Sequence, residues 1–307
     1  MNDQASTLRL MASSAPTIEL NMTNERKHFD YSSKLAPRKR CIAITGGKGG
    51  VGKSNFAVNV SFELAALGNK VTLLDADFGL ANADLLCGIS PKFHLGHAVT
   101  NVRSLSEVVV DLDDNLQLIP GGSGIEELAN FSLGSKPHLL EQLKTIEDSS
   151  AFMIIDTAAG IAENVSSVLL SASEVFIVTT PEPTALVDAY ATIKVITRRS
   201  PNKSISLVVN NVSGIGDAEQ VYHQLNTATR KFLQRQIDFL GAVPFDSQLV
   251  EAVCEQTPIV KFAPNSPSSR AFRLIAKNLH AQSYQESSNP IWIQSFWHSL
   301  MQTESQS

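Results

Sequence analysis

Short apolar runs recur along the chain and alternate with segments that have helical periodicity. Within each run most consecutive positions are apolar, which indicates strands buried on both faces of a sheet. The runs are CIAIT, KVTLLDAD, NLQLIPGG, AFMIIDTAAG, SEVFIVTTPEP, SISLVVNNV and IDFLGAVPFD. The segment SNFAVNVSFELAALG follows the first run, and its apolar spacing and final Gly68 predict a helix. This alternation predicts an α/β fold with a doubly wound, mainly parallel sheet and helices on both faces.

The two ends of the chain do not share this pattern. Residues 1–36 are polar, apart from a segment, DQASTLRLM, that is long enough for two helical turns. Residues 37–284 hold all the strand-like runs, and residues 285–307 contain one further apolar segment. We therefore expect an N-terminal arm, one large domain and a C-terminal helix.

Composition narrows the class of protein. The 307 residues are 43% hydrophobic and 18% charged, as in a globular chain with a full core. The formal net charge of −5 gives no reason to expect direct DNA binding. Cys41, Cys87 and Cys254 are far apart in sequence, which fits a reducing cytoplasm. Neither a secretory signal nor an apolar run of about 18 residues is evident, so we expect a cytoplasmic protein with peripheral membrane contact at most.

The first apolar run leads into a glycine-rich loop, TGGKGGVGKSN, from Thr45 to Asn55. The loop fits the phosphate-binding pattern GxxxxGK(S/T), in which backbone N–H groups surround phosphate, the lysine reaches the β- and γ-phosphates and the hydroxyl ligates Mg²⁺. The candidate nucleotide-binding residues are Gly47, Lys48, Gly49, Gly50, Val51, Gly52, Lys53, Ser54 and Asn55. The pattern requires Lys53 but not Lys48, so the role of Lys48 is a separate question.

Carboxylates follow two of the predicted strands. Asp75 and Asp77 end LLDAD, and Asp156 ends MIID. Near a phosphate loop, an aspartate at the carboxyl end of a parallel strand either binds Mg²⁺ through water or orients the attacking water. Ser54, Asp75 and Asp156 are the candidate Mg²⁺ ligands, and the pattern alone does not decide which aspartate takes which of the two roles. The alternative is an ordinary strand-end cap, and it applies most to Asp75.

Two later loops supply candidates for recognising the base. Asn210 lies near the end of SISLVVNNV, and Pro244, Phe245 and Asp246 end IDFLGAVPFD. Parallel strands would bring both loops to the edge that carries the phosphate loop. An ordinary turn residue is an equally supported interpretation of Asn210.

The motif KGGVGKS resembles the deviant Walker A motif of the MinD/ParA family of P-loop ATPases. In that family the first lysine crosses to the nucleotide of a second subunit. The resemblance implies an ATP-dependent homodimer with slow ATPase activity, in which Lys48 acts in the partner's site. It also implies that Asp77 positions the attacking water in a first switch, and that Asp156 serves Mg²⁺ in a second switch. The further switch residues it implies are Gly79, Asn82 and Gly160.

Three other segments resemble the flagellar number regulators of this family, the FlhG or FleN branch, across residues 41 to about 280. They are DADFGLANADLL, DTAAGIAENV and PEPTALVDAYATIK. The resemblance implies control of flagellar number and placement, with a flagellar transcription regulator or a C-ring component as partner.

The N-terminal segment DQASTLR matches a motif, DQAxxLR, of the same branch. In that branch the motif forms a short helix that activates the GTPase FlhF, and the resemblance implies that Gln4 lies near the GTP of FlhF. The residues concerned are Asp3, Gln4, Ala5, Leu8 and Arg9.

The C-terminal segment IWIQSFWHSLMQ has the spacing of an amphipathic helix. Its apolar stripe consists of Trp292, Ile293, Phe296, Trp297, Leu300 and Met301, whereas Ile291 lies on the other side. Both tryptophans of the chain lie here, as in helices that lie at a membrane surface. The polar face carries no lysine or arginine, so we expect weak binding that becomes stronger when a dimer presents two helices. A helix docked on the domain is the alternative.

Three other classes share the phosphate loop. A ParA-like partitioning ATPase would need a basic DNA-binding surface, and a MinD-like division-site ATPase would be expected to differ in the DTAAG and PEPTALVDAY segments. An electron-transfer ATPase would need cluster cysteines, which are not evident here.

Overall fold

The computed structural model of the protein describes residues 39–77, 81–122 and 136–282. The predicted N-terminal arm, Gly79 and the predicted C-terminal helix lie outside these ranges.

Eight strands form one sheet within the described ranges. They are β1 (Arg40–Thr45), β2 (Val71–Ala76), β3 (Val110–Asp113), β4 (Leu116–Ile119), β5 (Phe152–Thr157), β6 (Glu174–Thr179), β7 (Ser204–Val212) and β8 (Asp238–Pro244). Their order across the sheet is β3-β4-β2-β5-β1-β6-β7-β8. The β3–β4 pair is antiparallel and every other pair is parallel.

Helices cover both faces of this sheet. They are α1 (Lys53–Ala66), α2 (Ala83–Leu86), α3 (Leu95–Val99), α4 (Leu105–Val108), α5 (Lys136–Ser149), α6 (Glu163–Ser171), α7 (Pro183–Arg199), α8 (Ile215–Leu233), α9 (Ser247–Cys254), α10 (Ile259–Phe262) and α11 (Pro267–Ala281). Among the described residues, none of these helices is long and apolar enough to cross a bilayer.

The predicted fold class is confirmed, and all seven apolar runs contain strands. The sequence pattern did not predict the strand β3. Its positions alternate between partly and fully exposed, so it has no continuous apolar run. It lies at the edge of the sheet, where one neighbour is missing and less apolar surface is buried.

Two apolar layers hold the central strands. Ala43 and Ile155 face the side covered by α6, α7 and α8, whereas Ile42 and Ile154 face α1 and α11. β1, β2, β5 and β6 are buried along their whole length, as the unbroken apolar runs predict. This core fixes the strand ends at which the phosphate loop and the carboxylates lie.

A buried ion pair lies at the opposite end of the sheet. The guanidinium of Arg40 donates to both carboxylate oxygens of Glu174, at 2.8 and 2.6 Å, and to the carbonyl of Leu279 at 2.8 Å. Both charged side chains are less than 5% exposed. Because Leu279 belongs to α11, this cluster joins the last described helix to the neighbouring strands β1 and β6.

Candidate nucleotide site

The glycine-rich loop joins β1 to α1 at the centre of the sheet. Gly52 has a φ of 93°, which an ordinary side chain rarely adopts, and a Cβ atom there would lie 2.2 Å from the Asn210 amide nitrogen. At Gly47 a Cβ atom would lie 2.1 Å from the backbone carbon of Asp188 in α7. The loop is therefore packed between α7 and β7, and glycine is required at both contacts.

The two lysines of the loop have different surroundings. Lys53 is the first residue of α1 and is only 7% exposed. Lys48 is on the surface, where its Nζ atom donates to Glu182 Oε2 at 2.9 Å and lies 3.5 Å from the hydroxyl of Thr184. The hydrogen bond and charge of Glu182 raise the pKa of Lys48. Both partners remain about half exposed, so water and salt screen this pair.

The rest of the loop surrounds these lysines. Gly49 and Gly50 are exposed, whereas Val51 is buried. Ser54 and Asn55 are partly buried in the first turn of α1. A loop of this kind directs its N–H groups and the positive end of α1 towards the space that a phosphate group would occupy.

Asp156 is a buried carboxylate beside this loop. It is 1% exposed, and neither oxygen has a hydrogen-bond partner among the described residues. Burial and the charge of Asp75 raise the pKa of Asp156 to about 7, although the nearby Ser54 hydroxyl and Lys53 act in the opposite direction. Two unsatisfied carboxylate oxygens beside a hydroxyl suit a hard cation, so these residues fit Mg²⁺.

Asp75 pairs directly with Asp156 across the β2–β5 register. Its oxygens accept hydrogen bonds from the backbone N–H groups of Asp77 at 3.1 Å, and of Asn82 and Ala83 at 3.0 Å. Burial raises the pKa of Asp75 to about 6, while these three hydrogen bonds lower it. Asp75 therefore caps the end of β2 by binding the backbone of the following residues, which is the alternative role that the sequence left open for it. Its contribution to Mg²⁺ binding stays a prediction.

The two predicted switch segments adjoin the phosphate loop. Asp77 follows β2 and is partly buried, and Asn82 is the exposed residue before α2. In the second segment Gly160 has a φ of 101°, and its N–H donates to the carbonyl of Gly46 at 3.1 Å. Movement of Gly160 would therefore be transmitted directly to the loop.

The candidates for base recognition lie at the same edge but have other contacts. Asn210 donates from Nδ2 to the carbonyl of Val51 at 2.9 Å, so it supports the loop. Asp246 accepts from the N–H of Gln248 and from the N–H and hydroxyl of Ser268, which joins this segment to α11. Pro244 ends β8, and Phe245 is 66% exposed. Their contact with a base stays a prediction.

Glu182 is the site residue that the sequence interpretation did not identify. It precedes α7 within PEPTALVDAY, a segment that was assigned only to the family resemblance. An acidic residue just after a predicted strand could have indicated this contact, because in a parallel sheet the end of that strand lies at the edge that carries the glycine-rich loop.

Comparison with known proteins identifies the family of the chain. Residues 39–207 match the family described as AAA domain, and residues 136–280 match the family described as NUBPL iron-transfer P-loop NTPase. The chain is 34% identical to the antiactivator FleN of Pseudomonas aeruginosa over 238 residues, which cover 78% of this chain and 85% of FleN. It is 35% identical to the flagellum site-determining protein YlxH of Helicobacter pylori over 281 residues, 90% of each chain.

The chain belongs to the FleN/FlhG branch of the MinD/ParA family. Solved structures agree on the fold: the septum site-determining MinD of Pyrococcus horikoshii, complexed with Mg-ADP, is 25% identical and has a TM-score of 0.64. The match covers 78% of this chain and 96% of that MinD. The cell division ATPase MinD of Pyrococcus furiosus is 28% identical, with a TM-score of 0.63 over 78% of this chain and 98% of that MinD.

Membership in this family makes the protein a P-loop ATPase, and the residues of the site suit nucleotide with Mg²⁺. Within the described ranges no group of three or more His, Cys, Asp or Glu side chains is arranged to hold a metal. Ser54, Asp75 and Asp156 stay the predicted protein ligands of Mg²⁺, beside which nucleotide phosphates and water would complete the coordination.

Proposed function

We propose that the protein is a switch ATPase that dimerises on binding ATP and regulates the number and placement of flagella. The names of two relatives, an antiactivator and a flagellum site-determining protein, support the flagellar role. The name antiactivator favours a flagellar transcription regulator as one partner, and site determination favours a structural component such as the C-ring.

The observation that carries the proposal is the different placement of the two loop lysines. Lys53 is buried at the start of α1, from where a lysine of the phosphate-loop pattern reaches the phosphates of its own nucleotide. Lys48 lies at the surface, where its partners are an exposed carboxylate, Glu182, and the hydroxyl of Thr184. A screened surface pair of this kind is weak, so the phosphates of a second subunit can replace Glu182 as the partner of Lys48.

Hydrolysis follows from the arrangement around the dimer interface. Mg²⁺ supplies charge neutralisation on the phosphates when it is bound. Asp156 and Ser54 would hold the cation, and Asp77 would orient the water that attacks the γ-phosphorus while ADP leaves. Loss of the γ-phosphate removes the ligand of Lys48, which returns to Glu182, and the dimer separates.

Size-exclusion chromatography with ATP tests this mechanism. Lys48→Ala should bind ATP through Lys53 but stay monomeric and lose most ATPase activity. Asp77→Ala should accumulate as a dimer, because only the water-positioning step is lost. Lys92→Ala, which removes an exposed lysine outside the loop, is the control and should behave as wild type. Full ATP-driven dimerisation of Lys48→Ala would contradict the role of Lys48.

The N-terminal arm is proposed to stimulate FlhF. A peptide of residues 1–20 should accelerate GTP hydrolysis by FlhF without the ATPase domain, and Gln4→Ala should abolish that effect. Equal stimulation by the wild-type and Gln4→Ala peptides would exclude a role for Gln4.

The C-terminal segment is proposed to attach the ATP-bound dimer to the inner face of the cell membrane. Serine at Trp292, Phe296 and Trp297 should abolish vesicle flotation while ATP binding is retained. A large fall in melting temperature would show instead that the stripe packs on the domain. If the wild-type protein bound DNA with an affinity that falls steeply as salt is added, the partitioning alternative would be favoured instead.

A further inference from the structure

Two threonine hydroxyls near the phosphate loop are buried and lack a hydrogen-bond partner among the described residues. They are Oγ1 of Thr45 and Oγ1 of Thr180. Thr180 directly follows β6 and is 8% exposed. It precedes Glu182, the ion-pair partner of Lys48. A buried hydroxyl without a partner destabilises the state in which it occurs, so such a group in a ligand site indicates a second state that supplies the partner.

The strand register identifies the group beside Thr180. β6 and β7 pair in parallel, with Thr179 opposite Val209, so the next positions along the two chains are Thr180 and Asn210. Side chains alternate between the faces of a sheet, and Val178 packs in the apolar layer that contains α1. Thr180 and Asn210 therefore continue the face on which α1 and the phosphate loop lie.

Asn210 already contacts the loop through one half of its amide. Nδ2 donates to Val51 at 2.9 Å, and the space beside it is free only because residue 52 is glycine. The other half of the amide, Oδ1, accepts no hydrogen bond from a described residue. An unused acceptor and an unused buried donor thus occupy the positions that directly follow the last β6–β7 pair, Thr179 and Val209.

We propose that Thr180 is a positioning residue of the ATP site, whose hydroxyl donates to Asn210 Oδ1 when nucleotide occupies the loop. The inference rests on nucleotide binding at this loop, as proposed above. The new hydrogen bond fixes the Asn210 amide against Val51 and so stabilises the loop in its phosphate-bound form. Because the described residues give the hydroxyl no hydrogen bond that the fold would lose, removing it weakens nucleotide binding without weakening the fold.

Isothermal titration of the full chain with Mg²⁺–ADP, which avoids the contribution of dimerisation, tests this role. Thr180→Val removes the hydroxyl at nearly constant volume and should weaken binding about five- to tenfold, the effect of one hydrogen bond. The nucleotide-free melting temperature should equal or exceed that of wild type. Thr180→Ser, which keeps the hydroxyl, should bind within about twofold of wild type.

Two controls separate this role from a merely structural one. Thr197→Val removes another buried hydroxyl without a partner, near the far end of α7, and should leave the affinity for Mg²⁺–ADP unchanged. In an Asn210→Ala background, Thr180→Val should have no further effect, because the acceptor is already absent. If Thr180→Val does not fold, Thr180→Ala replaces it in both comparisons.

Three results would overturn the inference. They are wild-type affinity of Thr180→Val, equal weakening by valine and serine, and an undiminished effect of Thr180→Val in the Asn210→Ala background. Failure of the wild-type chain to bind Mg²⁺–ADP would overturn the proposed function as well, so the two failures are distinguishable.

Discussion

Replacing Asp156 with asparagine is predicted to stabilise the nucleotide-free protein and to remove its response to Mg²⁺. The carboxylate is buried without a hydrogen-bond partner among the described residues, and its pKa is raised from 3.8 to about 7. The folded protein therefore binds this proton more tightly than the unfolded chain does. Stability must then fall as the pH rises from about 4 to about 7, and the full cost is present above pH 7.

The size of the effect follows from the same pKa. A rise from 3.8 to about 7 is about three units, which at 1.36 kcal/mol per unit corresponds to about 4 kcal/mol at pH 8. This value is an upper limit, because the asparagine amide also stays buried and because a carboxylate draws water into the site. We expect about half of it, ~2 kcal/mol, which raises the melting temperature of a domain of this size by roughly 4–8 °C.

Thermal unfolding in EDTA at pH 8, 6 and 4 measures this gain. Asp156→Asn should melt higher than wild type at pH 8, and the difference should shrink at pH 6 and vanish near pH 4. Added Mg²⁺ should increase the stabilisation by ATP in wild type but not in the variant. Asp148→Asn, which alters an exposed carboxylate paired with Lys39, should give no gain at any pH. The reasoning fails if Asp156→Asn shows no gain at pH 8, or a gain that does not change between pH 8 and pH 5.

Two further predictions concern packing. Gly47→Ala places a methyl group 2.1 Å from the backbone of Asp188, so it should lose nucleotide binding in an ADP titration. Gly216→Ala, in α8 where no atom lies within 4 Å, is the control and should retain it. Glu174→Gln leaves the Arg40 charge buried without its counter-ion. Urea unfolding should then give a free energy of unfolding lower by about 3–5 kcal/mol. A loss below about 1 kcal/mol would contradict the importance of this pair.

The sequence by itself determined the features that depend on neighbouring residues. Apolar runs predicted all the central strands, because a strand covered on both faces needs apolar residues at every position. The glycine loop between a strand and a helix predicted phosphate binding, since its backbone geometry and the following helix are local properties. Asp75, Asp77 and Asp156 were found because strand ends are visible in the pattern, and parallel strands place their ends at one edge.

Only the tertiary structure decided which of these groups contact one another. Lys48 and Glu182 are separated by 134 positions, and their contact depends on β1 and β6 being neighbours in the sheet. Asp75 lies beside Asp156 because β2 pairs with β5, and it binds the backbone of its own loop through a turn that periodicity does not describe. The placement of Thr180 and Asn210, which directly follow the paired Thr179 and Val209, has the same origin. Hydrophobic periodicity specifies which face of a strand is buried but not the order of strands across the sheet, and that order brings these distant side chains together.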